Sequence, residues 1–133
     1  MPFDHQSLAT AVLTDVPVRY AESDVMLYAL GVGLGSNPLD ADELAYVTEH
    51  QGLRTLPTFA SMIIPETLIA ESGCDLQQIL HRAQSLKLFR PMPSKADMLV
   101  NQRVASVADL GRELGAEIVL ETELRLAGDE SAP

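Results

Sequence analysis

Leu56-Pro-Thr-Phe-Ala-Ser-Met-Ile-Ile-Pro-Glu-Thr-Leu-Ile-Ala-Glu-Ser-Gly73 is the longest apolar run in the chain and decides the predicted fold. Its apolar residues cover most of a helix's circumference, which is typical of a helix that is buried on all sides. Thr58 can cap the start of such a helix, and Gly73 can end it in the left-handed conformation. Pro65 interrupts the pattern, because an internal proline lacks an amide donor and clashes with the preceding turn. We therefore predict a buried helix that kinks at Pro65 or begins there.

Two interpretations of this run remain open from the sequence. The helix is an ordinary core element, or its kink leaves a groove beside Phe59 and Met62. An apolar ligand in such a groove would gain about 0.8 kcal/mol for each buried methylene.

Composition excludes several classes of protein. The chain has 133 residues, which suits one domain, and its net charge of -10, with no basic cluster, argues against nucleic-acid binding. The apolar run is too short to span a bilayer and the N-terminus lacks the features of a signal peptide, so we expect a cytoplasmic protein without a membrane segment. Cys74 is the single cysteine, which excludes an internal disulfide and a cysteine-based metal cage. We read it as an ordinary half-buried residue.

The N-terminal half predicts one main helix. Residues 16–20 are expected to be extended, and a helix then begins at Ser23 or Glu22. Its buried face has the helical spacing of Val25, Tyr28, Ala29 and Val32. The helix ends at three alternating glycines, Gly31, Gly33 and Gly35. These glycines follow a helix, whereas a phosphate-binding loop follows a strand, so we reject a nucleotide site. A turn and a short helix capped by Asp40 come next.

The C-terminal half predicts sheet. Partial alternation over 84–90 and an aliphatic run over 98–107 indicate two strands, and 108–115 forms a hairpin connection. The clearest alternation lies at 116–126, where one face is apolar and the other is charged. The apolar face consists of Ile118, Leu120, Thr122, Leu124 and Leu126; the charged face consists of Glu117, Glu121, Glu123 and Arg125. We interpret the charged residues as a solvated strand face.

The three histidines form no recognisable site. His5 lies in the N-terminal arm, His50 in a polar turn, and His81 on the approach to a strand. No two of the histidines are at helical spacing, and none has an evident Asp or Ser partner. A metal site or a nucleophilic triad is therefore not expected.

Five segments together resemble a known family. They are residues 28–33, 37–40, 44–49, 56–59 and 88–93. In order and spacing they are similar to the N-terminal half of the MaoC-like (R)-specific enoyl-CoA hydratases, over about residues 16–126. The resemblance implies an α+β hot dog fold, in which a central helix, here the run at 56–73, is wrapped by an antiparallel sheet that lacks its last strand. We divide the chain into an arm at 1–15, a hot dog domain at 16–127 and a disordered tail at 128–133.

The resemblance also implies that the catalytic groups are missing. The family's catalytic half carries Gly-Asp-x-Asn-Pro-Leu-His, whose Asp and His deliver water across the double bond of a 2-enoyl thioester. Here Asn37-Pro-Leu39 matches the motif, but Gly35 occupies the Asp position and Asp40 the His position. Without a paired acid and base this segment is a degenerate copy with no catalytic residue.

Substrate contacts are expected elsewhere. The family's His-Gly-Glu-Gln segment corresponds to His81-Arg-Ala-Gln84. The resemblance, together with the groove proposed above, assigns acyl-thioester contacts to Thr58, Phe59, Met62, His81 and Gln84.

The leading functional hypothesis is a non-catalytic, acyl-binding half or subunit of a 2-enoyl-CoA hydratase or dehydratase. The implied reaction adds water reversibly and uses no metal or redox cofactor. The implied partners are an acyl-CoA thioester and a second hot dog chain, either another copy or a catalytic subunit, so we expect the protein not to be monomeric. The chain is then a fragment or a split subunit. The alternatives are a stand-alone acyl-CoA-binding module and a purely structural oligomerisation module, both without enzymatic activity.

Overall fold

The computed structural model describes residues 5–49 and 52–129. The helices are α1 (His5–Ala9), α2 (Glu22–Gly31), α3 (Ala41–Leu44) and α4 (Thr67–Ala70), with 3-10 helices at Pro57–Ile63 and Leu76–Gln78. The strands are β1 (Val12–Tyr20), β2 (Ala96–Asp109) and β3 (Ala116–Leu126). Thus α1 and the start of β1 fall in the segment predicted as an arm. The predicted tail beyond Asp129 and the turn at His50 lie outside the described residues.

The three strands form one antiparallel sheet in the order β1-β2-β3. Its register is fixed by side chains as well as backbone: Asn101 accepts a hydrogen bond from the N–H of Asp15 at 2.8 Å, and Gln102 donates to Thr122 at 3.0 Å. β3 has the predicted bounds, and its charged face is ion-paired, as Arg103 with Glu121 shows. The predicted alternation of a core face and a solvated face is confirmed for residues 118–124 of β3, whereas Glu117 and Arg125, predicted on the solvated face, are half-buried.

The described chain separates into two compact units. The described residues within 5–17, 64–84 and 99–125 form unit 1, and those within 18–63, 85–98 and 126–129 form unit 2. The core of unit 1 is built on Leu8, Leu68 and Val104, against which the half-buried Ile118 and Leu120 of β3 pack. The buried apolar residues of unit 2 are Tyr20, Val25, Ala29, Phe59, Ala60, Ile63 and Met98.

The helix predicted after β1 is present as α2. It begins at Glu22, and the carboxylate of Asp24 accepts a hydrogen bond from the N–H of Ala21 at 2.8 Å, which stabilises its first turn. Val25 and Ala29 are each 1% exposed, as the spacing predicts. Val32 is outside the helix and 56% exposed, so the buried face is one turn shorter than predicted.

The run at 56–73 is not one buried helix, and this prediction is wrong. A 3-10 helix covers Pro57–Ile63, and α4 covers only Thr67–Ala70. The break lies around Pro65, for the steric reason given above, and the two parts bury their apolar residues in different units: Phe59 in unit 2 and Leu68 in unit 1. Among the described residues of unit 2 the longest helix is instead α2, of which Val25 and Ala29 are buried. Gly73 does adopt the predicted left-handed conformation, with φ of 79°.

The strand predicted at 84–90 is also absent. Residues 80–91 are exposed throughout and have no regular secondary structure, so His81 does not lead into a strand. A strand needs the backbone of a neighbour, and no neighbouring strand flanks this segment in the part of the chain that the structure describes. Cys74 is half-buried, as expected.

No helix formed by the described residues is long and apolar enough to cross a bilayer.

Candidate functional site

An aromatic cluster organises unit 2. The ring of Phe59, only 3% exposed, meets Tyr20 edge-to-face with 5.0 Å between ring centroids and Tyr28 with 5.6 Å. The T-shaped geometry places the positive edge of one ring against the negative face of another. Phe59 is thereby fixed between β1 and α2.

Hydroxyl groups hold this cluster in position. Tyr20 donates a hydrogen bond to the carbonyl oxygen of Pro93 at 2.9 Å, and Thr55 donates to the same oxygen at 2.9 Å. Burial raises the pKa of the Tyr20 phenol, because the charged phenolate loses solvation. The hydroxyl of Tyr28 donates to Oγ1 of Thr58 at 2.9 Å, which connects α2 to the start of the 3-10 helix.

A shallow depression lies beside the aromatic cluster. It has a volume of about 200 Å³ and is lined by Asp24, Leu27, Tyr28, Phe59 and Met62. Leu27 is 71% exposed and Met62 is 63% exposed, which are high values for large apolar side chains. The depression therefore offers apolar surface to a ligand without a rearrangement of the core.

Electrostatics favour an uncharged group in the depression. Asp24 is the one charged residue of its lining, and the Asp24 carboxylate already accepts the hydrogen bond from Ala21. Residues 21–49, which include α2 and α3, contain six acidic residues and no Lys or Arg. A phosphate group would be repelled there, whereas a hydrocarbon would not.

The loop after α2 that carries Gly33 and Gly35, here called the glycine loop, and the cap of α3 that follows it have structural roles. Asp40 caps α3: its carboxylate accepts hydrogen bonds from the N–H groups of Asp42 at 3.0 Å and Glu43 at 3.2 Å. Gly35 has φ of 81°, and a Cβ at this position would lie 2.9 Å from Cγ2 of Val47. Neither Gly35 nor Asp40 lines the depression.

The structure brings some of the predicted contact residues together. Phe59 and Met62 line the depression, and Thr58 bonds to the hydroxyl of Tyr28, which also lines it. His81 and Gln84 belong to unit 1, are exposed, and do not line it.

Three lining residues were missed from the sequence: Asp24, Leu27 and Tyr28 of α2. The available signal was their spacing of three and four residues, which places them on one helical face beside the buried face of Val25 and Ala29.

Comparison with known proteins identifies the family. The family model described as the MFE-2 hydratase 2 N-terminal domain matches residues 18–130. The chain belongs to this family. The predicted resemblance to the N-terminal half of a MaoC-like hydratase is thus confirmed.

The chain is similar to two proteins that are longer than it. It is 34% identical over 134 residues to a protein described as peroxisomal enoyl-CoA hydratase 2 from Arabidopsis thaliana, covering 92% of this chain and 41% of that protein. It is 31% identical over 125 residues to 3-hydroxyacyl-thioester dehydratase Y from Mycobacterium tuberculosis, covering 90% of this chain and 41% of that protein. The chain therefore spans about two fifths of the length of these relatives.

A solved structure gives the fold. The chain resembles the full-length peroxisomal multifunctional enzyme type 2 of Drosophila melanogaster, with a TM-score of 0.68, 25% identity, and coverage of 87% of this chain and 20% of that chain. The predicted α+β hot dog class is confirmed. The cytoplasmic location remains a prediction, since the Arabidopsis relative is described as peroxisomal.

Proposed function

We propose that this chain is the non-catalytic half of a 2-enoyl-CoA hydratase or dehydratase, and that it holds the acyl group of the thioester. The observation that carries the proposal is the apolar depression lined by Leu27, Phe59 and Met62. The names of the relatives support the substrate class, because they describe enoyl-CoA hydratase and hydroxyacyl-thioester dehydratase proteins.

The division of labour follows from the residues at the family's catalytic positions. Gly35 has no side chain that could act as a base, and Oδ1 of Asp40 accepts hydrogen bonds from two backbone N–H groups of α3. Hydration adds a hydroxyl group to one carbon of the double bond and a proton to the other, which requires a positioned acid and base. In this proposal a separate catalytic half supplies both groups, and this chain contributes binding energy.

The depression suits the acyl group better than the nucleotide end of coenzyme A. Its lining carries no cation, and the acidic stretch at 21–49 would repel the phosphates of coenzyme A. Each methylene removed from water contributes about 0.8 kcal/mol, so a longer acyl chain should bind more tightly until the depression is filled.

Calorimetric titration tests the binding role. We expect decanoyl-CoA to bind more tightly than butyryl-CoA, and free coenzyme A to give no measurable heat. Leu27→Asp places a charge in the depression and should weaken decanoyl-CoA binding by at least about tenfold. Leu39→Asp is the matched control, because Leu39 is 90% exposed and does not line the depression. Equal effects of the two substitutions would refute the assignment.

An activity assay tests the non-catalytic role separately. A 2-enoyl-CoA is mixed with the chain alone, and loss of the conjugated absorbance is followed. We expect no turnover by the chain alone. Turnover above the rate in buffer would overturn this part of the proposal and would leave the binding result unaffected.

A further inference from the structure

One residue that lines the depression carries a thioether and is open to solvent. Met62 and Phe59 are three residues apart in the 3-10 helix Pro57–Ile63, and this spacing places two side chains on the same face of such a helix. Phe59 is buried against the rings of Tyr20 and Tyr28, whereas Met62, one turn further along, is 63% exposed. Both line the depression, so Met62 is the part of this face that small molecules in solution can reach.

Exposure separates Met62 from the other methionines. Four of the five methionines lie among the described residues. Met26 and Met92 are half-buried, and Met98 is 5% exposed. An oxidant must reach the sulfur to react with it, so these four thioethers should react in the order of their exposure, with Met62 first.

We propose that Met62 is a site of reversible oxidation by a peroxide, and that its sulfoxide form no longer accepts an apolar acyl group in the depression. A lone pair of the sulfur attacks one oxygen of hydrogen peroxide, the O–O bond breaks, and a proton passes to the departing oxygen, which leaves as water. The sulfur is oxidised to the sulfoxide and the peroxide is reduced. Hydrogen peroxide is uncharged, so the acidic stretch at 21–49 does not repel it.

The consequence for binding follows from the groups beside Met62, and it rests on the proposed acyl-binding function. A sulfoxide is strongly polar, and an acyl group that covered it would remove its oxygen from water. Among the side chains that line the depression, the hydroxyl of Tyr28 already donates to Thr58, and the carboxylate of Asp24 can only accept. The covered sulfoxide oxygen would therefore lack a side-chain donor, and a buried polar group without a partner weakens binding.

The change can be undone chemically. Methionine sulfoxide reductases return the sulfoxide to the thioether: the oxygen leaves as water, and two thiols of the reductant are oxidised to a disulfide. Oxidation of Met62 thus acts as a switch on the depression, with an apolar thioether form that binds the acyl group and a polar sulfoxide form that does not.

The first experiment measures which methionine reacts. The whole chain is treated with hydrogen peroxide, and peptide mass mapping follows the gain of one oxygen atom at each methionine. Met62 should react at least about fivefold faster than Met26 and Met92, and Met98 should react most slowly. In concentrated urea the differences should vanish, because they come from the fold. Met1 lies outside the described residues, and its peptide is left out of the comparison.

The second experiment measures the consequence by calorimetric titration with decanoyl-CoA. Each protein is compared with itself before and after peroxide treatment, so differences in starting affinity do not enter. Oxidation should weaken binding by the unsubstituted protein about tenfold, and reductase treatment should restore it. Met62→Leu keeps Cys74 and the other methionines, and its affinity should change by less than about twofold on oxidation. Met92→Leu is the matched control: it removes a half-buried thioether that does not line the depression, and oxidation should weaken its binding as in the unsubstituted protein.

The contrary outcomes are specific. The proposal is overturned if Met62 reacts no faster than Met26 and Met92, if the oxidised protein binds decanoyl-CoA as tightly as the untreated protein, or if oxidation weakens binding by Met62→Leu to the same extent. A loss of affinity accompanied by a loss of secondary structure in circular dichroism would also overturn it. Failure of the untreated protein to bind decanoyl-CoA would contradict the proposed function instead. The oxidation rates need no ligand, so they would still decide whether Met62 is the modified site.

Discussion

The backbone N–H of Gly35 donates a hydrogen bond to Oε2 of Glu43 at 2.9 Å. The bond connects the glycine loop to α3, whose N-terminus is capped by Asp40. The left-handed φ of 81° at Gly35 strains any residue with a Cβ, and that Cβ would press on Val47. Position 35 is therefore shaped for glycine.

Restoring the two catalytic residues should not restore hydration. Gly35→Asp combined with Asp40→His introduces the missing side chains, but it strains the loop and removes the cap of α3. We expect no turnover of a 2-enoyl-CoA and a loss of about 2–4 kcal/mol in the free energy of unfolding. Urea denaturation and the absorbance assay measure the two effects. Gly31→Asp is the control for the added carboxylate, because a Cβ at Gly31 meets no atom within 4 Å.

The cap of α3 can be tested by itself. Asp40→Ala removes the acceptor for the N–H groups of Asp42 and Glu43 and should cost about 1 kcal/mol. Asp40→Asn retains an acceptor oxygen and should cost only a few tenths of a kcal/mol. A similar loss in both variants by urea denaturation would show that the charge of Asp40, and not the cap, is what matters.

Alkaline pH should destabilise the fold through Tyr20. Burial raises the pKa of Tyr20 in the folded state above the ordinary value of 10.0, so the folded protein keeps this proton when the unfolded chain loses it. The contribution of this proton to the free energy of unfolding is fully present below pH 10.0, and it is lost as the pH rises from there towards the folded-state pKa of Tyr20. Tyr20→Phe should lack this dependence.

The same variant also has a cost at neutral pH. Tyr20→Phe loses the hydrogen bond to Pro93, which should lower the free energy of unfolding by about 0.5–1.5 kcal/mol at pH 7. Equilibrium denaturation at neutral and alkaline pH measures both terms. An equal decline in stability in both proteins as the pH rises above 10.0 would assign the effect to other groups.

At Gln102 we expect a double substitution that does not destabilise the protein, in contrast to the variants above. Gln102 is 4% exposed, donates to Thr122, and its Oε1 has no hydrogen-bond partner among the described residues. Thr122→Val removes the acceptor of the buried amide and should cost about 1–3 kcal/mol. Gln102→Met with Thr122→Val replaces both groups by apolar ones and should be neutral or stabilising. A double variant less stable than Thr122→Val would contradict this account.

The spacing of apolar residues in the sequence correctly predicted those elements that bury one face against a single neighbouring element. The alternation over 116–126 gives both the bounds and the two faces of β3, because a strand with one face on the core must alternate. Val25 and Ala29 were found by helical spacing for the same reason. The Asp40 cap needs only the adjacent turn, so it too was visible in the sequence.

The predictions that failed concern features that depend on residues far away in the sequence. The run at 56–73 is apolar all round because its two parts serve different units, not because one helix is buried on all sides. Residues 84–90 alternate like a strand, but strand formation requires a partner that the described chain does not place beside them. Asp24 and Leu27 were missed at the depression because their helical spacing places them on one face but does not show that the distant residues Phe59 and Met62 lie beside that face.

The way the chain alternates between units 1 and 2 limits how this protein can be divided. Each unit draws on three separate stretches of sequence. The backbone crosses from one unit to the other within β1, β2 and β3, between Ile63 and Ile64, and between Gln84 and Ser85. No single cleavage point releases either unit intact. Truncation at a position between β1 and β3 should therefore abolish cooperative unfolding instead of leaving a smaller stable domain.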